Sequence, residues 1–359
     1  MTDASDASRD PRDPQLQRLL EALRRFAPPF SRYSRVSEVG CGAMGVVEQV
    51  TDQLLERSVA LKSLRVREGS AAEHEKRLRR FLFEARVTGN LDHPAIVAVH
   101  DIGIDEAGTP YFAMKLVRGE PLSQSFERCA RGEDAWTLPR LVGVLQRVCE
   151  AMSYAHQKGV LHRDLKPSNV MVGRFGEVYV MDWGLARSLD APDENDIRVS
   201  AQEPATEQID DIDADEGLRT VDGDILGTPA YMPPEQAHGR ISQMGPHSDI
   251  YSVGAMLYHL LAGHMPYVPR FSRVGAHTLF LWVREGPPTD LASLAPAAPA
   301  ELVAICNKAM AREPSQRFAS MDELADELRR YIEGRVVRSH RTGPIIELRK
   351  WARRNRVAA

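Results

Sequence analysis

The run His162-Arg163-Asp164-Leu165-Lys166-Pro167-Ser168-Asn169, followed after twelve intervening residues by Asp182-Trp183-Gly184, constrains this chain more than any other feature. It sets two acids, a lysine and an asparagine on two neighbouring loops. Those groups suit the movement of a phosphoryl group, which needs an acceptor for a hydroxyl proton, a cation beside the transferred phosphate and hard oxygen ligands for Mg2+. Three-letter pieces of the run are common by chance. Eight residues with a second acid at this distance are not.

Composition narrows the remaining classes. A length of 359 residues leaves room for one large or two medium domains with a real core. The formal net charge of −4 gives no reason to expect nucleic acid as a partner. Cys41, Cys129, Cys149 and Cys306 follow no metal-ligand spacing, and so few in so long a chain point to a reduced, cytoplasmic compartment. The polar start Met1-Thr2-Asp3-Ala4 is not a secretory signal. No apolar run is long enough to span a bilayer; the stretch from Tyr251 to Met265 is short, carries His259 and His264, and reads as a buried helix.

The chain is organised in order. Residues 1–32 read as an extension, polar and unfolded over 1–13, with Leu16, Leu19, Leu20, Leu23 and Phe26 at the spacing of a short amphipathic helix that docks on the folded domain. Runs at 33–39, 45–51, 57–64, 96–102 and 110–117 read as strands. Residues 71–90 read as a charged helix with Leu78, Phe81, Leu82 and Ala85 on its inner face. Beyond Gly119 the pattern turns helical at 138–157, 248–263, 276–284, 299–310 and 321–332. This predicts an α+β fold, a small β-rich lobe followed by a larger helical one. Residues 190–224 hold thirteen Asp/Glu against two Arg and read as a mobile acidic insertion. Residues 334–359 form a basic tail, with Ile345, Ile346, Leu348 and Trp351 as a candidate apolar stripe.

Gly40-Cys41-Gly42-Ala43-Met44-Gly45 is a glycine-rich loop that lets backbone N–H groups approach phosphate oxygens. Val46-Val47-Glu48-Gln49-Val50 follows it with strand-like residues, against the helix a dinucleotide-binding turn requires. Val59-Ala60-Leu61-Lys62 ends an apolar strand in a lysine suited to α- and β-phosphates if a carboxylate orients it, and Glu84 is the candidate. Glu73 and Glu75 sit where solvated helix caps belong.

With these motifs in this order, the chain resembles a bacterial, eukaryotic-like (Hanks-type) serine/threonine protein kinase, from about Tyr33 to Tyr331. The resemblance implies a bilobal protein kinase domain over 33–333, with a small lobe at 33–114 carrying one regulatory helix, a hinge at 115–119, a larger lobe at 120–333 and an activation segment at 182–235. It implies Asp164 as catalytic base, Lys166 and Lys62 on phosphate charge, Thr228 presenting the acceptor hydroxyl, and Asn169 and Asp182 holding Mg2+. It places ATP against Gly40, Cys41, Gly42, Ala43, Met44, Gly45, Val47, Ala60, Lys62, Met114, Lys115, Val117, Met171 and Asp182. Glu84 would orient Lys62, Glu235 would pair with Arg317, and Asp249 would brace the catalytic loop. His162 would be a packed structural residue. Trp183 stands where the family usually has phenylalanine, and Pro233-Pro234-Glu235 where it has Ala-Pro-Glu.

The same resemblance carries regulatory expectations. Arg163 would receive a phosphorylated residue of the activation segment, with Thr220 the first choice. Autophosphorylation in trans would imply transient homodimers. The basic tail could touch anionic lipid weakly, and the chain could be the cytoplasmic kinase portion of a membrane-anchored protein. A pseudokinase scaffold that only binds ATP is the rival reading, and it would be favoured by loss of Lys62, Asp164, Asn169 or Asp182, all of which are present.

Overall fold

A computed structural model describes residues 14–27, 29–41, 45–65, 70–133, 135–188, 228–270, 272 and 274–340. The expectations for 1–13, for Gly42, Ala43 and Met44, for the acidic insertion with Thr220, and for 341–359 of the tail lie outside the described residues. The chain divides into two compact units, 1–89 with 98–116, and 90–97 with 117–359.

The first unit holds α1 (Pro14–Phe26), β1 (Tyr33–Cys41), β2 (Gly45–Asp52), β3 (Arg57–Leu64), α2 (Ala71–Gly89), β4 (Val99–Ile104) and β5 (Pro110–Lys115). The strands form one antiparallel sheet in the order β1-β2-β3-β5-β4. Val50, Val59, Leu61, Tyr111 and Ala113 close a core on one face together with Tyr33. Buried Asp52 receives a bidentate pair from Arg32 (2.7 and 2.7 Å) and caps the following turn through Leu54 N–H and Leu55 N–H. Its carboxyl is held down at about 2, first by the Arg32 hydrogen bonds. The α1 stripe is shorter than its spacing suggests: Leu16 and Leu23 are buried, while Phe26 is 75% exposed. At the start of α2, Ser70 Oγ accepts from Glu73 N–H and Glu73 accepts from Ser70 N–H, a reciprocal capping box.

The second unit contains β6 (Gly119–Pro121), α3 (Leu122–Ala130), α4 (Leu138–Gln157), β7 (Val160–Leu161), β8 (Val170–Gly173), β9 (Val178–Val180), β10 (Arg187–Ser188), α5 (Pro234–Ala237), α6 (Pro246–Ala262), α7 (Ala276–Glu285), α8 (Leu291–Leu294), α9 (Ala300–Ala309) and α10 (Met321–Ile332). Helix α6 is its centre, buried from Ser248 to Tyr258 and packed against α4 and α9. Gly254 permits that packing, because a Cβ there would meet Ala309 Cβ at 2.7 Å. The α+β class expected from the sequence is the class found.

Two local readings differ. The fourth strand was expected at 96–102 and runs instead over Val99–Ile104. The reason is that Ala95 O accepts from Val180 N–H (2.8 Å) and Ile96 bridges Val180, so this stretch belongs to the second unit. The small sheet β6-β8-β9 and helix α3 were not anticipated: the strands are only three or four residues long, and the buried stripe of α3 (Leu122, Ser125 and Phe126) is confined to a nine-residue helix.

Candidate active site

In the first unit, strand register gathers the expected nucleotide residues. Gly40 pairs with Val47, Val47 with Lys62, and Lys62 with Phe112, while Ala60 pairs with Met114. Alternation of side chains puts Val47, Ala60, Lys62 and Met114 on one sheet face. Gly45 is fixed as glycine by crowding, since an added Cβ would run into Ser63 O across the strand pair. Helix α2 covers this face, with Phe81 5.1 Å from Phe112. From α2, Glu84 meets Lys62 Nζ at 2.6 and 2.8 Å, and Glu84 itself is 4% exposed. Lys115 N–H donates to Ala98 O (2.9 Å), so that donor is already used.

In the second unit, the loop between β7 and β8 presents the second set. Asp164 Oδ2 lies 3.1 Å from Lys166 Nζ and 3.2 Å from Asn169 Nδ2. Asn169 Nδ2 also reaches Asp164 O (2.9 Å), which turns the amide nitrogen towards Asp164 and Oδ1 away from it. Met181 links this loop to the next: its N–H donates to Asn169 O (2.8 Å) and its carbonyl accepts from His162 Nε2 (3.0 Å). His162 Nδ1 accepts from Asp164 N–H (3.3 Å), so the ring proton sits on Nε2. His162 is wholly buried with its ring 4.7 Å from that of Trp183. It therefore staples the two loops together, and Asp182 follows immediately as an exposed residue.

Burial pushes the Asp164 carboxyl above its ordinary range; the nearby Asp182 charge adds to this, and Lys166 works against it. A carboxylate so placed is a better proton acceptor than a solvated one.

Arg163 (φ 69°) and Asp182 (φ 58°) both occupy the left-handed region, where a residue with a Cβ costs about 1–3 kcal/mol. Arg163 is held there by Asp249, whose Oδ1 accepts from Arg163 N–H (3.0 Å) and whose Oδ2 accepts from His162 N–H (3.0 Å) and faces His156 Nε2 (2.8 Å). Burial alone would raise the Asp249 carboxyl, but the His156 and backbone hydrogen bonds bring it below its usual value. Asp249→Asn would turn an N–H against at least one of these donors. We expect a loss of about 1–3 kcal/mol in urea unfolding and a fall in kcat. A variant within 0.5 kcal/mol of wild type, roughly the scatter of surface substitutions, would remove the bracing role.

Beyond the undescribed stretch, Thr228–Tyr231 forms a short turn leading into α5. The Thr228 side chain and that of Cys41 lie outside the described residues. Glu235 of α5 and Arg317, both 4% exposed, form a bidentate pair at 2.8 and 2.8 Å. The remaining Arg317 N–H groups reach Ala311 O, His247 O and Arg312 O, and Ser248 Oγ donates to Glu235, so all five guanidinium donors are used. Met171 and Val117 are half-buried on β8 and just before β6.

The sequence reading missed three residues here. His156 faces Asp249 across 93 positions, Gln236 Nε2 donates to Arg163 O (3.1 Å), and Ser248 caps Glu235. None carries a local pattern, because each partner is far away in the chain.

Residues 33–328 match the protein kinase domain family. The chain is 35% identical over 313 residues to the serine/threonine-protein kinase PknD of Protochlamydia amoebophila, covering 84% of this chain and 30% of that protein. It is 32% identical to PknD of Chlamydia trachomatis (84% and 32% covered) and 32% identical to a probable serine/threonine-protein kinase PknB of Corynebacterium glutamicum (85% and 43%). The chain thus spans about a third of the length of the PknD relatives it matches.

Proposed function

Because this chain belongs to the protein kinase domain family, of the bacterial serine/threonine type, we propose that it transfers the γ-phosphoryl group of ATP to serine or threonine hydroxyls of proteins. The observation that carries this reading is Asp164: a carboxylate held above its ordinary pKa by burial, with Lys166 at 3.1 Å and Asn169 at 3.2 Å. In the reaction the acceptor oxygen bonds to the γ-phosphorus as the bond to the ADP oxygen breaks, and the hydroxyl proton passes to Asp164. Lys166 offsets charge on the transferred group, and Lys62, oriented by Glu84, holds the α- and β-phosphates.

The donor set fits Mg2+. Asn169 Oδ1 is a hard oxygen turned away from Asp164, and the negative charge of Asp182 is already felt at Asp164. Among the described residues no group of three or more His, Cys, Asp or Glu could hold a metal ion. When bound, Mg2+ would neutralise charge on the β- and γ-phosphates. Arg163 would receive a phosphorylated activation-segment residue, Thr220 first, and Thr228 would present the acceptor. No helix among the described residues is long and apolar enough to cross a membrane. We place the reaction in the cytoplasm because it consumes ATP.

The test is label transfer from γ-labelled ATP to a generic basic protein. Lys62→Met should lower kcat/KM by a factor on the order of 10² or more, as expected when charge stabilisation on the phosphates is removed. Undiminished transfer by this variant would overturn the assignment.

A further inference from the structure

The peptide that enters Asp164 is held at both poles. Its N–H donates to His162 Nδ1 (3.3 Å), and its carbonyl, Arg163 O, accepts from Gln236 Nε2 (3.1 Å). Arg163 sits at φ 69°, a strained backbone that is kept in place from both sides, by Asp249 on its N–H (3.0 Å) and by Gln236 on its carbonyl. A carbonyl can only accept, which fixes the Gln236 amide with nitrogen towards Arg163. Gln236 is 6% exposed, and no donor among the described residues reaches its Oε1. Gln236 lines a small cavity of about 10 Å³ together with Arg163, Asp164, Tyr231 and Ser252, about the room of one water. Its neighbour Glu235 is locked by Arg317.

We propose that Gln236 is a positioning residue for the catalytic base: it fixes the Arg163–Asp164 peptide, and with it the direction of the Asp164 carboxylate, from the anchored end of the activation segment. Glu235–Arg317 supplies the rigid mount, and Gln236 carries that rigidity to Asp164 through a single hydrogen bond.

This rests on the phosphotransfer reading, so the experiment includes a readout that does not need activity. Gln236→Met keeps the bulk and removes the donor. Gln236→Glu restores the donor only when protonated, and burial beside a carbonyl raises that carboxyl towards neutrality. We expect Gln236→Met to lower kcat between tenfold and a hundredfold, with KM for ATP and for the protein acceptor changed less than about threefold, as for a misplaced catalytic group. The ratio of Gln236→Glu to wild-type kcat should rise as pH falls from about 8 to about 6. Amide hydrogen exchange in residues 160–169 should quicken in Gln236→Met. Wild-type kcat in both variants, a ratio flat with pH, or unchanged exchange would each overturn the proposal. If the wild-type protein transfers no phosphoryl group, the kinase reading fails, and the exchange rate alone decides whether Gln236 holds the loop.

Discussion

Replacing Asp164 by asparagine is expected to lower kcat by a factor on the order of 10²–10⁴ while leaving the protein as stable as before or more so. The first part follows from removing the proposed proton acceptor while its surroundings stay intact. The second follows from linkage. The folded-state pKa of Asp164 is raised above its ordinary value by burial and by Asp182. A group shifted in that direction contributes stability below its unfolded pKa and loses that contribution as pH rises through the folded pKa. Above its folded-state pKa the ionised Asp164 is therefore a burden on the fold. Asparagine is neutral and still offers an oxygen to Lys166 Nζ or Asn169 Nδ2. Steady-state kinetics and thermal unfolding at pH 7 check both halves. The wild-type rate should also fall on acidification with an apparent pKa above that of a solvated aspartate. A variant that unfolds several degrees lower yet keeps kcat within tenfold would contradict the assignment on both counts.

The second large effect concerns the buried Glu235–Arg317 pair. Arg317→Met should cost about 3–5 kcal/mol, because it leaves the Glu235 carboxylate buried without its guanidinium. It also strands the carbonyls of Ala311, His247 and Arg312. For a domain of this size the loss corresponds to a fall in Tm of roughly 10 °C. Glu235→Gln should cost less, since it keeps an acceptor oxygen and the Ser248 contact. The pH dependence has the opposite sign to that of Asp164. Burial works to raise the Glu235 carboxyl, but Arg317 brings it below its ordinary value. Its contribution to stability is therefore present above the unfolded pKa and is lost as pH falls through the folded one. Wild-type stability should decline below about pH 4.5, and Glu235→Gln should flatten that decline. Equal Tm values for wild type and Arg317→Met would show that the pair does not anchor this fold.

Much of the site could be read along the chain. The Asp164–Asn169 run, the Asp182 loop, the glycine loop and Lys62 combine residue types whose chemistry is specific with spacings short enough to see. Helix α2 was visible for the same reason: Leu78, Phe81, Leu82 and Ala85 repeat at helical spacing and all are buried. What escaped were supports without a local pattern. Residues 96–102 read as a strand, yet Ala95 and Ile96 are drawn to Val180, 84 or more positions away, and the strand starts only at Val99. Phe26 continues an apolar stripe but ends it exposed, since whether a face is covered depends on what packs there.

Residue types and short spacings alone determined which groups are the candidates for the chemistry proposed here, because a carboxylate, a cation and hard oxygens on adjacent loops are a local property of the chain. Only the tertiary structure decided how those groups are aimed. Arg163 keeps its left-handed backbone because Asp249 holds its N–H and Gln236 its carbonyl, partners 86 and 73 positions away. Buried polar groups must find hydrogen-bond partners, and which partner is in reach is settled by helix packing, of which the linear order of residues carries no mark.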